Sequence, residues 1–170
     1  MKFNIPEYDS NKTFEPFEAL GFSLWMSQSL ELSLVNYLVF AHKISPVTAK
    51  EQIQMIFEKT SKKTFGALLK ELKMKDEFLS KTIIERLGVI LDDRNWLIHK
   101  VYAINQSDMF SSRKSSNLIE KIRGIGFASI ELSKIISKKT DEIIAAKGFS
   151  SVEELDKKTQ EILNSWAEDK

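Results

Sequence analysis

Cysteine is absent from the 170 residues, which removes disulfide frameworks, thiol nucleophiles and every cysteine-ligated zinc or iron–sulfur site. Histidine occurs twice, too rarely for a histidine-rich metal centre, so neither a metal nor any other cofactor is expected. Glycine and proline number 6 and 3, whereas a chain of many short strands needs turn residues roughly every ten positions, so an all-β fold is excluded. Charge of one sign is also missing. Lys plus Arg total 25 against 24 Asp plus Glu, a net charge of +1, and any nucleic-acid partner must therefore be held by a local patch rather than by a bulk field. The most apolar stretch, Leu20 to Ala41, is broken by Ser23, Ser27, Gln28, Ser29, Glu31, Ser33 and Asn36. Burying those groups in lipid is too costly for a membrane span, and no membrane partner is expected. The opening Met1-Lys2-Phe3-Asn4-Ile5-Pro6 lacks the apolar core and cleavage site of a signal peptide, which points to the cytoplasm.

What is present is the balance of a globular protein, with 42% hydrophobic and 29% charged residues, in a length suited to one domain. A first helix is expected from Phe14 to His42, apolar on more than one face and stopped by Ser45-Pro46. Thr48 is placed to cap a second, Ala49 to Lys59, with Glu51 completing a capping box. A third runs from Thr64 to Lys73 with Phe65, Leu68, Leu69 and Leu72 on one side. The fourth, roughly Asp76 to Ala103, has an apolar seam of Ile83, Leu87, Ile90, Leu97 and Val101. After a polar loop over Asn105 to Ser116, a long fifth helix from Asn117 to Ala146 carries Leu118, Ile122, Ile125, Ser129, Leu132, Ile136 and Ile143, and ends at Gly148. Ser151-Val152-Glu153-Glu154 opens a last segment with Val152, Leu155, Ile162, Leu163 and Trp166 on one stripe. The fold class is therefore all-α. An up-and-down bundle of about five or six helices should occupy residues 1–146, with a C-terminal amphipathic helix, 147–170, packed on the bundle or on a partner.

The fourth helix holds the chemistry. At about 100° per residue, Asp92, Asn95, His99 and Tyr102 share a sector of roughly 80°, so a carboxylate, an amide, an imidazole and a phenol lie on one face. Arg94 stands where the apolar seam should continue. It is about 140° from His99 but only about 7.5 Å away along the axis, within reach of a long side chain. A cation on a core-facing stripe must be paired or must face a cavity. Pairing with Asp93 or with Glu31 in the first helix would make Arg94 structural, with His99 hydrogen-bonded in the core; an open cleft would make both groups available to a phosphate.

Arg94-Asn95 followed by three residues and His99 resembles the Arg-x4-His signature of the HEPN superfamily, small all-helical proteins of prokaryotic toxins, phage-defence systems and RNA-processing factors. The likeness extends to the long apolar first helix and to Thr64-Phe65-Gly66 leading into a short Leu-rich helix, and covers about Phe14 to Ala103. Many toxin members have a tyrosine two residues after the histidine; Val101 stands there and Tyr102 follows. The resemblance implies a metal-independent endoribonuclease in a homodimer, of toxin or phage-defence type, with Arg94, Asn95 and His99 catalytic and Asp92, Tyr102 and Glu31 supporting. It also implies RNA as substrate and an antitoxin or regulatory protein as partner. Such an imidazole, with an ordinary pKa near ~6.5, can move a proton from a ribose 2′-hydroxyl or to the leaving oxygen, while Arg94 offsets charge on the phosphate. A second histidine on the far side of phosphorus would come from the other protomer. Regulators resembling the mannitol-operon repressor carry the same Arg-Asn-x3-His pattern without being established nucleases, so a non-catalytic helical interaction module is the alternative.

Lys62, Lys63, Lys70 and Lys73, with Lys75, form a basic cluster suited to an RNA backbone or to a solvated face. Arg113, Lys114, Lys121 and Arg123 form a smaller one. His42 is placed to cap the carbonyl end of the first helix. Gly124 and Gly126 suit close helix packing better than nucleotide binding. Trp25, Trp96 and Trp166 read as packing or interface residues, and Asp92, Asp93 and Glu85 as exposed helix charges rather than a cation site.

Overall fold

A computed structural model describes residues 14–76, 78–101, 103–105 and 115–149. Five helices account for most of them: α1 (Phe14–His42), α2 (Lys50–Ser61), α3 (Phe65–Lys75), α4 (Lys81–His99) and α5 (Ser115–Ala146). One further helical turn includes Val101 and residues 103–105, where the Ile104 amide donates to Lys100 O. No strand occurs among the described residues, and the all-α expectation holds.

The three long helices alternate in direction. Ser23 meets Ile122, Ser33 meets Ser133 and Phe40 meets Lys147, so α1 and α5 run parallel. Arg86 of α4 meets Glu131 and Trp96 meets Lys121, which sets α4 antiparallel to α5 and so to α1. The short α2 and α3 sit at the C-terminal end of α1, where Lys43 reaches Thr60 and Glu71.

Two apolar clusters fill the bundle. The larger joins Leu30 to Ile44 of α1 and its following turn with Phe65, Leu68 and Leu72 of α3, Leu87 and Ile90 of α4, and Leu132 and Ile136 of α5. The smaller joins Ala19, Leu97, Val101, Leu118, Ile122 and Ile125. Serines lie between them. Ser23 Oγ donates to the Ile122 carbonyl at 2.6 Å, Ser27 Oγ lies 3.4 Å from Ser129 Oγ, and both Ser27 and Ser129 also bond back to the carbonyl four residues earlier. Small hydroxyls satisfied in this way can be buried without loss and let α1 and α5 approach closely. This explains why the apolar stretch of α1 is punctuated by serine rather than leucine.

Helix ends follow local chemistry. Thr64 Oγ1 accepts the Ala67 amide to start α3, and Ser80 Oγ accepts the Ile83 amide to start α4, each leaving fewer orphan donors. The α4 start is later than expected because the Asp76 carboxylate instead turns the chain, accepting the Leu79 amide at 2.9 Å. Thr48 likewise does not cap α2. Its hydroxyl accepts the Ser45 amide at 2.9 Å, closing the turn around Pro46, and α2 begins after Ala49 with no side-chain cap. After α5, Gly148 takes φ +72° and Phe149 donates back to the Ile144 carbonyl, a six-to-one closure that needs the left-handed glycine. Phe149 then packs edge-on against Phe40. The expected stripe from Val152 to Trp166 lies outside the described residues.

Candidate functional site

Leu87, Ile90 and Leu97 bury one face of α4, and Arg94 sits on the flank of that face turned towards α1. Its Nη2 donates to Glu31 Oε2 at 3.4 Å. Both side chains keep contact with solvent, Arg94 being 24% and Glu31 19% exposed. Glu31 stands on the stretch of α1 that Leu30, Leu34 and Val35 bury in the core. The pair is thus wedged in the seam between two helices with one side wet.

Asn95, His99 and Asp92 are exposed on the outer face of α4. Tyr102 lies outside the described side chains. The structure brings Arg94 and Glu31 together and does not bring Arg94 and His99 together; five residues apart, the two leave the helix about 140° from each other. The structural alternative is met in its Arg94–Glu31 pair and not in a core-bound His99, which is exposed. Grooves of about 520 and 340 Å³ run along α5, and neither is lined by Arg94, Asn95 or His99.

The other flank of α4 faces α5. Lys121 Nζ stands 4.1 Å above the Trp96 ring, a cation–π contact that covers the partly buried indole. Burial raises the Asp93 carboxyl above its ordinary pKa, with Asp92 adding to the rise and Lys121 opposing it. Trp25, by contrast, is 69% exposed on α1, and Leu32 two turns further along the same stripe and Ile98 of α4 are also exposed. Among the described residues no three His, Asp or Glu side chains are grouped to hold a metal, and no helix is long and apolar enough to cross a membrane.

The lysine cluster divides. Lys62, Lys70 and Lys73 are exposed, whereas Lys63 Nζ donates to Glu71 Oε2 at 2.5 Å. Glu71 also draws Lys43 to 3.4 Å and Lys75 to 3.6 Å. Sequence reasoning missed this node, although Glu71 is the only acid in α3 and sits among its leucines. It missed a second one as well. The Asp76 side chain is fully buried and accepts from the Tyr37 hydroxyl at 2.7 Å, with His42 Nε2 at 3.1 Å. Burial, then the bond and charge of Asp76, push the Tyr37 phenol far above its usual pKa. His42 therefore does not cap α1. Lys147 does so, donating to the Phe40 and Ala41 carbonyls, each at 2.8 Å, because α5 runs parallel to α1 and ends beside it. Gly126 packs closely, as expected, but Gly124 faces open space.

Compared with protein-family models, curated proteins and solved structures, the chain has no match in any of the three.

Proposed function

We propose that this protein is a HEPN-like, metal-independent endoribonuclease of toxin or phage-defence type that works as a homodimer. The observation that carries this reading is the accessibility of the motif. His99 and Asn95 are in solvent, and Arg94, anchored by Glu31, keeps an open side in the seam between α1 and α4. An anchored guanidinium pre-positions a positive charge for a phosphate, and an exposed imidazole is a group that can carry protons. Transphosphorylation by the 2′-hydroxyl needs a base on one side of phosphorus and an acid on the other. His42, the second histidine, is held by Asp76 about 16 Å along α1 from Glu31 and cannot serve. A second copy supplies the missing imidazole, and the exposed Trp25 and Leu32 of α1 and Ile98 of α4, next in sequence to His99, offer apolar surface for it to cover.

Purified protein in the presence of EDTA should cut single-stranded RNA and leave cyclic-phosphate ends. His99→Ala should fold and be inactive; RNA cleavage undiminished in that variant would overturn the assignment.

One observation favours a second reading, a non-catalytic interaction module. The Arg94–Glu31 pair ties α4 to α1, which is a sufficient structural reason for a cation at that position. The module reading expects no cleavage by the wild-type dimer and capture of a protein partner instead.

A further inference from the structure

We propose that the pole where α1, α2 and α3 end is a phosphate-binding site, formed by Lys43, Lys63 and Lys75 around Glu71 and separate from the Arg94–His99 motif. Three ammonium groups converge on one carboxylate whose side chain is 10% exposed. Lys63 takes Oε2, while Lys43 and Lys75 share Oε1 at 3.4 and 3.6 Å. Lys43 is further fixed by donating to Thr60 Oγ1 at 2.9 Å. Thr60 is itself buried and bonded to the Ile56 carbonyl, so this ammonium is held in place rather than waving in solvent.

Among the described residues Glu71 is the one carboxylate these three ammoniums reach, and one negative charge cannot satisfy three positive ones. The neighbouring Asp76 does not supply the balance, since its carboxylate is turned inward to Tyr37, His42 and the amides of Phe78 and Leu79. Helix carbonyl ends offer about half a negative charge each; that of α1 is already met by Lys147, and those of α2 and α3 together still leave an excess of about one positive charge. Burial lowers the Lys43 pKa and Lys63 and Lys75 lower it further, while Glu71 only partly opposes them. A node with more donors than acceptors is relieved by an incoming oxyanion. Lys75 is 56% exposed and Lys63 34%, so both can turn a donor outward to a phosphate while Glu71 keeps Lys43 at its base. The exposed Lys62 next to Lys63 extends the positive surface along a chain of phosphates. Lys70 and Lys73 do not, because they leave α3 about 100° and 160° away from Glu71.

The phosphates belong either to an RNA backbone or to a free polyphosphate, and the test separates the two. Titration of the full-length protein with inorganic tripolyphosphate, followed by calorimetry, should show saturable binding. Lys75→Met should weaken it at least tenfold with unchanged melting temperature in the absence of ligand; Lys63→Met should weaken it as much but also lower the melting temperature, because Glu71 loses its nearest partner; Lys70→Met and Lys73→Met should leave it within about twofold. A fluorescent single-stranded RNA then identifies the source. RNA binding that falls with Lys75→Met and is displaced by tripolyphosphate marks the backbone; tripolyphosphate binding alone marks the free ion. Equal weakening by all four substitutions, which would reveal only net charge, or no binding of either probe, overturns the proposal. His99→Ala should bind both probes normally, so loss of the nuclease reading leaves this one standing.

Discussion

The Arg94 guanidinium is joined to the Glu31 carboxylate at 3.4 Å across 63 residues of sequence, and both groups keep part of their surface in water. Such a pair is worth far less than a sealed one, about 1 kcal/mol, because solvent screens it. Arg94→Met and Glu31→Gln should therefore each lower stability by about 1 kcal/mol, or roughly 2–4 °C in melting temperature. The double variant should cost less than the sum, with a coupling of about 0.5–1 kcal/mol in urea unfolding. If Arg94 also holds the scissile phosphate, Arg94→Met should reduce RNA cleavage about 100-fold or more, much more than its effect on folding. A loss of several kcal/mol in stability would place Arg94 with structural ion pairs instead.

The helices were legible in the sequence because burial imposes a period that composition cannot disguise. The boundaries of α1 and the seam of α5 follow from residues such as Leu118, Ile122 and Leu132, all buried. What escaped was the result of contacts between distant segments. Nothing local tells that Asp76 prefers Tyr37 and His42 to the start of a helix, or that Lys147 finds the carbonyls of α1. The motif was legible as a spacing, and Glu31 as a partner for Arg94. The Glu71 node was not, since its lysines come from three elements and only tertiary packing assembles them.

Glu71 makes stability depend on acid. Burial would raise its carboxyl pKa, but the bonds and charges of Lys63 and Lys43 outweigh that and hold it below its ordinary 4.5. A carboxyl depressed in the folded state binds fewer protons than in the unfolded chain, so its contribution is present above about pH 4.5 and disappears as pH falls towards its folded value. Wild-type melting temperature should drop through that acid window. Glu71→Gln should start lower at neutral pH, by the equivalent of about 2 kcal/mol, because three lysines lose their shared anion. Its acid-induced decline should be shallower; parallel pH profiles for the two proteins would contradict the role assigned to this carboxylate.

Asp93 has the opposite sign. Its carboxyl is raised above 3.8, mainly by burial, and Lys121 only partly offsets the effect of burial and Asp92. The folded protein then holds the proton more tightly than the unfolded chain. The penalty for ionising Asp93 is absent in strong acid, grows as pH rises from about 4 to the folded pKa, and is constant above it. Asp93→Asn should remove that penalty and stabilise the protein at pH 7, by less than about 1 kcal/mol given the partial solvent exposure of the group. Chemical denaturation at pH 7 and pH 3.5 gives the check: the gain should be present at the first and vanish at the second.

Gly124 and Gly126 lie two residues apart in α5 and should respond to alanine in opposite ways. Alanine favours helix over glycine by about 1 kcal/mol when the new methyl meets nothing. At Gly124 no atom stands within 4 Å of an added Cβ, so Gly124→Ala should stabilise by about 0.5–1 kcal/mol. At Gly126 the same atom would fall 2.6 Å from Phe22 Cε1 and 2.9 Å from Ser23 Oγ. The Phe22 ring is partly exposed against Phe127 and can move, but the Ser23 hydroxyl is fixed by its 2.6 Å bond to the Ile122 carbonyl. Relieving that contact must push α1 and α5 apart or break the buried bond, and overpacking of this kind costs about 1–3 kcal/mol. Gly126→Ala should therefore destabilise by about 1–2 kcal/mol after the gain in helix propensity. Adding Phe22→Ala should recover little of it, because the immovable neighbour is the serine; full recovery would show that the ring alone sets the spacing of the two longest helices.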